Sequence, residues 1–154
     1  MRVVGLDLGS RRIGVAVSDP SGVLASPHSV LRRGPDQAAD HRALAAIVEE
    51  VGAQAVVVGL PLSLDGSKGP AARLVEAELT ELGVALGVPV VAHDERFTTV
   101  SAERMLRGAG MRAPGRRAVV DGVAAAVLLQ SWLDGRARSG DGEATGSSSG
   151  RTPS

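Results

Sequence analysis

The chain has 154 residues, 17 basic and 17 acidic, so it is neutral overall, and 44% of it is hydrophobic. It has no cysteine, which excludes a disulfide framework and a thiolate zinc site. No run approaches the roughly 18 apolar residues of a membrane helix, and the N-terminus shows no signal-peptide pattern, so a cytoplasmic address is expected.

In chain order, "RVVGLDLG" reads as a first strand and "RIGVAVSD" as a second, joined through Gly9-Ser10-Arg11 as a hairpin. "GVLASPHSVLRR" supplies a third strand. "DQAADHRALAAIVEEVG" sets Ala39, Leu44, Ile47, Val48 and Val51 at helical spacing and closes on Gly52. "AQAVVVGL" is a continuous apolar run, the pattern of a central strand buried on both faces. After the loop "PLSLDGSKG" comes a helix from Pro70, then the strand in "GVPVVAHDERFTT". A helix over residues 99–108, an Arg- and Gly-rich loop and a last helix, "VVDGVAAAVLLQSWLDG", complete the order βββαβαβαα. That order predicts an α/β fold: a mixed five-stranded sheet, three antiparallel strands followed by parallel additions, flanked by helices. Residues 1–138 are expected to form one domain. Residues 139–154 contain one Ala and no larger aliphatic or aromatic side chain, too little to offset ordering entropy, so a disordered tail is expected.

The charge is lopsided along the chain. From Asp36 to Glu95 ten acids face three bases, whereas from Arg96 to Arg117 six arginines face one Glu. A basic stretch behind a carboxylate-bearing strand suits a phosphate-rich ligand, although a solvated helix face gives the same count. Phe97 and Trp132 are the only aromatic residues, which disfavours modules that stack bases on aromatic platforms.

Three carboxylates stand out. Asp7 interrupts an apolar strand on the side of Val3 and Gly5, where a buried carboxylate needs a partner; capping the Gly9-Ser10 turn is the plainer alternative. Asp121 precedes a stripe of Ala124, Ala125, Leu128 and Trp132 on the last helix, yet Asp is also a favoured helix N-cap. In "HDER", Asp94 and Glu95 end a buried strand and point to opposite faces, or simply mark an exposed strand end. If these carboxylates converge, their repulsion calls for cations, and hard oxygen ligands without Cys or clustered His select Mg²⁺ or Mn²⁺, one or two ions. Such a site activates water for phosphodiester hydrolysis.

Other motifs fit less well. "GLDLGSRRIG" is not GxGxxG, and "DGSKG" misses the P-loop spacing. "DLGSRRIGVAV" looks like the first phosphate loop of the actin, Hsp70 and sugar-kinase group, but the second such hairpin that those proteins need is absent. A non-catalytic RNA-binding or ribosome-assembly role for the 96–117 segment is the remaining alternative.

Four blocks, "GLDLGSRRIGVAVSD", "VVVGLPLSLDGS", "HDERFTTVSAERML" and "VVDGVAAAVLLQSWLD", resemble in order and spacing the signature blocks of the YqgF/RuvX family, over about residues 2 to 134. These are bacterial RNase H-like proteins described as pre-16S rRNA nucleases or Holliday-junction-resolvase homologues. The resemblance implies an RNase H-like fold and a metal-dependent endonuclease, with Asp7, Glu95 and Asp121 as catalytic metal ligands. Asp94 would then support the turn, and Phe97 stands where relatives often carry Leu. Arg12, Arg96, Arg112, Arg116 and Arg117 are candidates to hold a nucleic-acid backbone, with Ser67 and Lys68 as weaker ones. The resemblance favours pre-16S rRNA as partner, with branched DNA as the alternative. Monomer and homodimer both stay open, a resolvase being expected to act as a symmetric dimer.

Overall fold

Alternation along the first strand sets up the whole molecule. Val4, Leu6 and Leu8 fall on one face and Val3, Gly5 and Asp7 on the other, so each face needs its own cover. The computed structural model describes residues 1–98 and 122–138, without the side chains of residues 97 and 98. Its elements are β1 (Val3–Leu8), β2 (Arg12–Ser18), β3 (Ala25–Arg32), α1 (Gln37–Val51), β4 (Ala55–Leu60), α2 (Pro70–Leu86), β5 (Val90–Asp94) and a 3₁₀ turn (Glu95–Thr98). A last helix, α3, covers residues 122–138. The predicted helix over residues 99–108 and the predicted tail over residues 139–154 lie outside the described residues.

The sheet has the order β3-β2-β1-β4-β5. β1 pairs antiparallel with β2, and β2 with β3; β1 and β4, then β4 and β5, pair in parallel. The predicted mixed sheet is therefore the observed one. β3 tolerates Pro27 because it is an edge strand, and the β2–β3 register shifts between Val15 and Ala16.

On one face Val4, Leu6, Ile13, Val15, Val56 and Val58 bury against Leu44 and Val48 of α1 and Val75, Leu82 and Leu86 of α2. α1 starts where the Asp36 side chain accepts from the Ala38 N–H at 3.0 Å and ends on Gly52, whose φ of 70° suits the left-handed C-cap. On the other face Val3, Ala16 and Val57 meet Ala125, Ala126, Leu129 and Leu133 of α3. The stripe that reaches the sheet is thus turned slightly from the one read off the sequence: Ala125 and Leu128 are buried as expected, while Trp132 packs at the margin. Gly5 explains the tight seat of α3, since a Cβ there would lie 2.7 Å from the Leu129 Cβ. Gln130 locks the other side of α3, accepting from Ala25 N–H and donating to the Val23 carbonyl, both at 2.9 Å. No helix among the described residues is long and apolar enough to cross a membrane.

Candidate active site

Asp7 sits on β1 at the end where the buried row gives way to half-buried positions. By alternation it shares the α3 face with Val3 and Gly5, as the sequence predicted. Its cross-strand partner on β2 is Gly14. On the other side, Gly59 of β4 follows Val58, the partner of Leu6. The carboxylate therefore rises from a floor whose neighbouring positions carry no side chain.

Glu95 reaches this floor from the far side. β5 stops at Asp94, and Glu95 opens the 3₁₀ turn instead of extending the strand. The bend is held by Asp94, whose Oδ1 accepts from the Arg96 backbone N–H at 2.9 Å. Glu95 then folds back over β4: a Cβ at Gly59 would lie 2.6 Å from its Oε2 and 3.1 Å from its Cγ. Any side chain at Gly59 would displace the Glu95 carboxylate. Burial, then the charge of Asp7, then that of Asp94, push the Glu95 carboxyl above the usual carboxylate range. Asp7 and Glu95, 88 positions apart in sequence, are thus electrostatic neighbours in the fold.

Asp94 and Arg96 serve this frame from behind. The Arg96 guanidinium lies on the Asp94 carboxylate, Nη2 to Oδ2 at 2.6 Å, and its Nη1 donates to the Leu64 carbonyl at 3.1 Å. Arg96, expected on phosphate, therefore ties the β4–α2 loop to the end of β5. In that loop Ser67 N–H donates to Asp65 at 2.9 Å and Lys68 pairs with Glu76 at 2.6 Å. Arg12 opens β2, exposed and two positions before Gly14. Asp121, Arg112, Arg116 and Arg117 lie outside the described residues, and among those described no group of three acids or histidines forms a metal site.

Sequence reasoning missed Gly59. A lone glycine near the end of a central strand does signal a close approach, and that was the available clue. It also missed a buried charge cluster on the α1–α2 side. Arg33 forks onto Glu78 with two bonds of 2.9 Å, His41 meets Glu78 at 2.7 Å, and Arg33 Nε donates to the Gly9 carbonyl at 2.8 Å. The Arg33 N–H also reaches the Arg11 carbonyl at 2.8 Å. This cluster pins the turn that follows Asp7 to α2. Beside it a cavity of about 350 Å³ is lined by Gly9, Arg33, Pro61, Leu74 and Glu78, on the sheet face away from Asp7.

The chemistry of the donor set fits a hard divalent cation. Two carboxylates held together raise each other's cost of ionisation, and a cation relieves it. The chain has no cysteine, and His93 Nε2 lies 3.0 Å from Ser131 Oγ, so the donors that Asp7 and Glu95 offer are carboxylate oxygens of the kind that suit Mg²⁺ or Mn²⁺.

A mixed sheet in this order, with helices on both faces, places the chain in the RNase H-like class. Residues 1–135 match the family model described as "RuvX: Holliday junction resolvase", and the chain belongs to that family. A protein of Mycobacterium sp. (strain KMS) is 52% identical over 137 residues, covering 88% of this chain and 80% of its own. One of Rhodococcus jostii is 48% identical over 143 residues, covering 90% and 80%, and one of Roseiflexus sp. is 45% identical over 133 residues, covering 86% and 94%. Each of the three carries the name "Putative pre-16S rRNA nuclease". Among solved structures, T. thermophilus RuvC in complex with a Holliday junction substrate aligns with a TM-score of 0.57 at 22% identity, covering 83% of this chain and 91% of that one. That likeness is one of fold. Family and relatives together make the chain a hydrolase of the endonuclease class.

Proposed function

We propose that the chain is a divalent-metal-dependent endonuclease that matures the 5′ end of pre-16S rRNA in the cytoplasm. The observation that carries the reading is the Glu95 carboxylate, packed on side-chain-free Gly59 beside the charge of Asp7. Asp7 and Glu95, joined by Asp121, hold the cation or cations. When bound, the metal supplies Lewis-acid activation of water and charge compensation at the leaving 3′ oxygen. The chain's own residues do the rest. Gly59 leaves room for the Glu95 carboxylate to lie against β4, and the Asp94–Arg96 pair fixes the bend that presents Glu95. Arg12 on the same face, with Arg112, Arg116 and Arg117, holds the backbone, while Ser67 and Lys68 lie on the loop that Arg96 tethers. Such contacts position a strand without reading its sequence.

RNA as substrate follows the names of the relatives. A second reading, cleavage of branched DNA, is favoured by the family description and by the RuvC-like fold. The two separate in one experiment: a 5′-labelled pre-16S leader fragment and a synthetic four-way junction are incubated with Mg²⁺ or Mn²⁺, beside an Asp7→Asn preparation. Cutting of the RNA alone, lost in the variant, is expected. Paired cuts in the junction would transfer the proposal to resolution. Equal cutting by the two proteins would end the carboxylate reading.

A further inference from the structure

Asp7 stands near the end of β1, where ladder and core give out. The parallel pairing with β4 ends at Leu6, opposite Val58. The last two positions of β1 are half-buried, while the four before them are buried. On the β2 side Asp7 is opposed to Gly14, which has no side chain to pack against it. Yet this carboxylate must be fixed against one that arrives from β5, and at such a site a misplacement of about 1 Å is costly.

The turn that follows Asp7 is gripped from the other face of the sheet. Gly9 donates its N–H to the Arg12 carbonyl at 2.9 Å and, less closely, to the Asp7 carbonyl at 3.2 Å. A Cβ at Gly9 would lie 2.8 Å from the Arg12 oxygen, so a closed turn needs glycine here. Arg33 takes hold of this turn at two points: Nε donates to the Gly9 carbonyl and the backbone N–H to the Arg11 carbonyl, both at 2.8 Å. Its two Nη atoms donate to the Glu78 carboxylate, each at 2.9 Å. Glu78 is buried on α2, and the buried His41 of α1 meets it at 2.7 Å. The guanidinium is thus a planar bracket with one edge on α2 and its remaining N–H on the turn. A lysine would keep the charge but not this fixed fork of donors.

We infer that Arg33 is a positioning residue of the nuclease site: anchored on Glu78, it holds the Gly9 carbonyl and so fixes the backbone that presents the Asp7 carboxylate to Glu95. It stands to Asp7 as the Asp94–Arg96 pair stands to Glu95, one bracket behind each carboxylate. Its action passes through the backbone, since the cluster lies on the α1–α2 face and Asp7 on the α3 face. A buried pair serving stability alone would need no bond to the turn, and such pairs can often be exchanged for apolar side chains without loss. The inference rests on the nuclease reading and adds to it the device that sets the Asp7–Glu95 geometry.

The test removes the bracket and keeps the fold. In the full chain Arg33→Met is combined with Glu78→Met, which exchanges the buried pair for apolar side chains. Three readings are taken well below the thermal midpoint. They are amide exchange of the metal-free chain over residues 7–12, Mn²⁺ affinity by calorimetry, and kcat and KM for Mg²⁺-dependent cleavage of the leader RNA. The double variant is expected to exchange faster over the turn and to bind Mn²⁺ about tenfold more weakly. Its kcat is expected to fall on the order of tenfold or more, with KM within about twofold. Arg33→Lys, which keeps a charge opposite Glu78 but not the fork, is expected to share these losses and serves alone if the double variant does not fold. Leu86→Ala, in the core at the far end of α2, is expected to lower the thermal midpoint and leave the three readings at parent values. Parent-like Mn²⁺ affinity and kcat in either folded Arg33 variant would overturn the inference and leave the nuclease reading standing. A rise in KM at unchanged kcat would overturn it too, since Arg33 would then be a contact to the RNA. Equal losses in Leu86→Ala would overturn it as general loosening. A parent chain that binds no Mn²⁺ and does not cut would defeat both readings.

Discussion

Gly59→Ala is the sharpest perturbation of the frame. The added Cβ would sit 2.6 Å from the Glu95 Oε2, 3.1 Å from Cγ and 3.2 Å from Cδ. To regain ordinary contact at 3.4 Å, the carboxylate oxygen must retreat by about 0.8 Å. A misplacement of about 1 Å in a group that positions reacting atoms costs on the order of 100-fold in rate, or about 2.7 kcal/mol of barrier. The fold suffers less. Crowding a packed site costs about 1–3 kcal/mol, while Ala in place of Gly lowers unfolded-chain entropy and returns about 0.4–1 kcal/mol. The variant is therefore expected to stay folded and to lose on the order of 100-fold in kcat/KM. Mg²⁺-dependent cleavage of labelled leader RNA, read beside the thermal midpoint, measures both. A folded Gly59→Ala chain that cuts within twofold of the parent would refute the claim that Glu95 must lie against β4.

Two further predictions concern charge. Glu95→Gln should leave the metal-free protein at least as stable as the parent at neutral pH. A carboxyl raised in the fold weakens it once pH climbs through the unfolded value toward the folded one, so the gap should close on acidification; thermal unfolding in EDTA at several pH values reads this, and a Gln variant less stable than the parent at neutral pH would contradict it. Glu78→Gln should destabilise by about 3 kcal/mol, the lower end for breaking a buried pair, because Asp40 at 3.9 Å still faces Arg33; for a chain of this size that is a fall in thermal midpoint of roughly 6–12 °C. Burial opposes ionisation of Glu78, yet the bonds from Arg33 and His41 hold its carboxyl below the usual range, so its stabilisation is complete above the unfolded carboxyl range and fades as pH falls through the folded value. A flat acid limb in the parent would argue against that network.

Much of this was legible from local pattern. The continuous run in "AQAVVVGL" marked the central β4, and strict alternation put Asp7 on the face of Val3 and Gly5, where it stands. The short glycine-bearing link at residues 9–11 gave the hairpin. What pattern could not supply was contact between distant residues. Nothing near Arg33 points to Glu78, 45 positions away, and the role of Arg96 depended on a loop carbonyl, Leu64, that no motif includes. Glu95 was placed beside Asp7 only by resemblance, because alternation assumed a strand where the chain bends into a 3₁₀ turn. Asp121 and the arginines at 112, 116 and 117 remain expectations of the sequence.

The central claim is that Asp7 and Glu95 hold a divalent cation in common. Titration of the metal-free chain with Mn²⁺, followed by calorimetry, tests it without any nucleic acid. Binding by the parent chain is predicted to weaken at least tenfold in Asp7→Asn and in Glu95→Gln alike, since loss of even an outer partner that only orients a metal ligand costs about 10–100-fold. Parent-like Mn²⁺ affinity in either folded variant would contradict it.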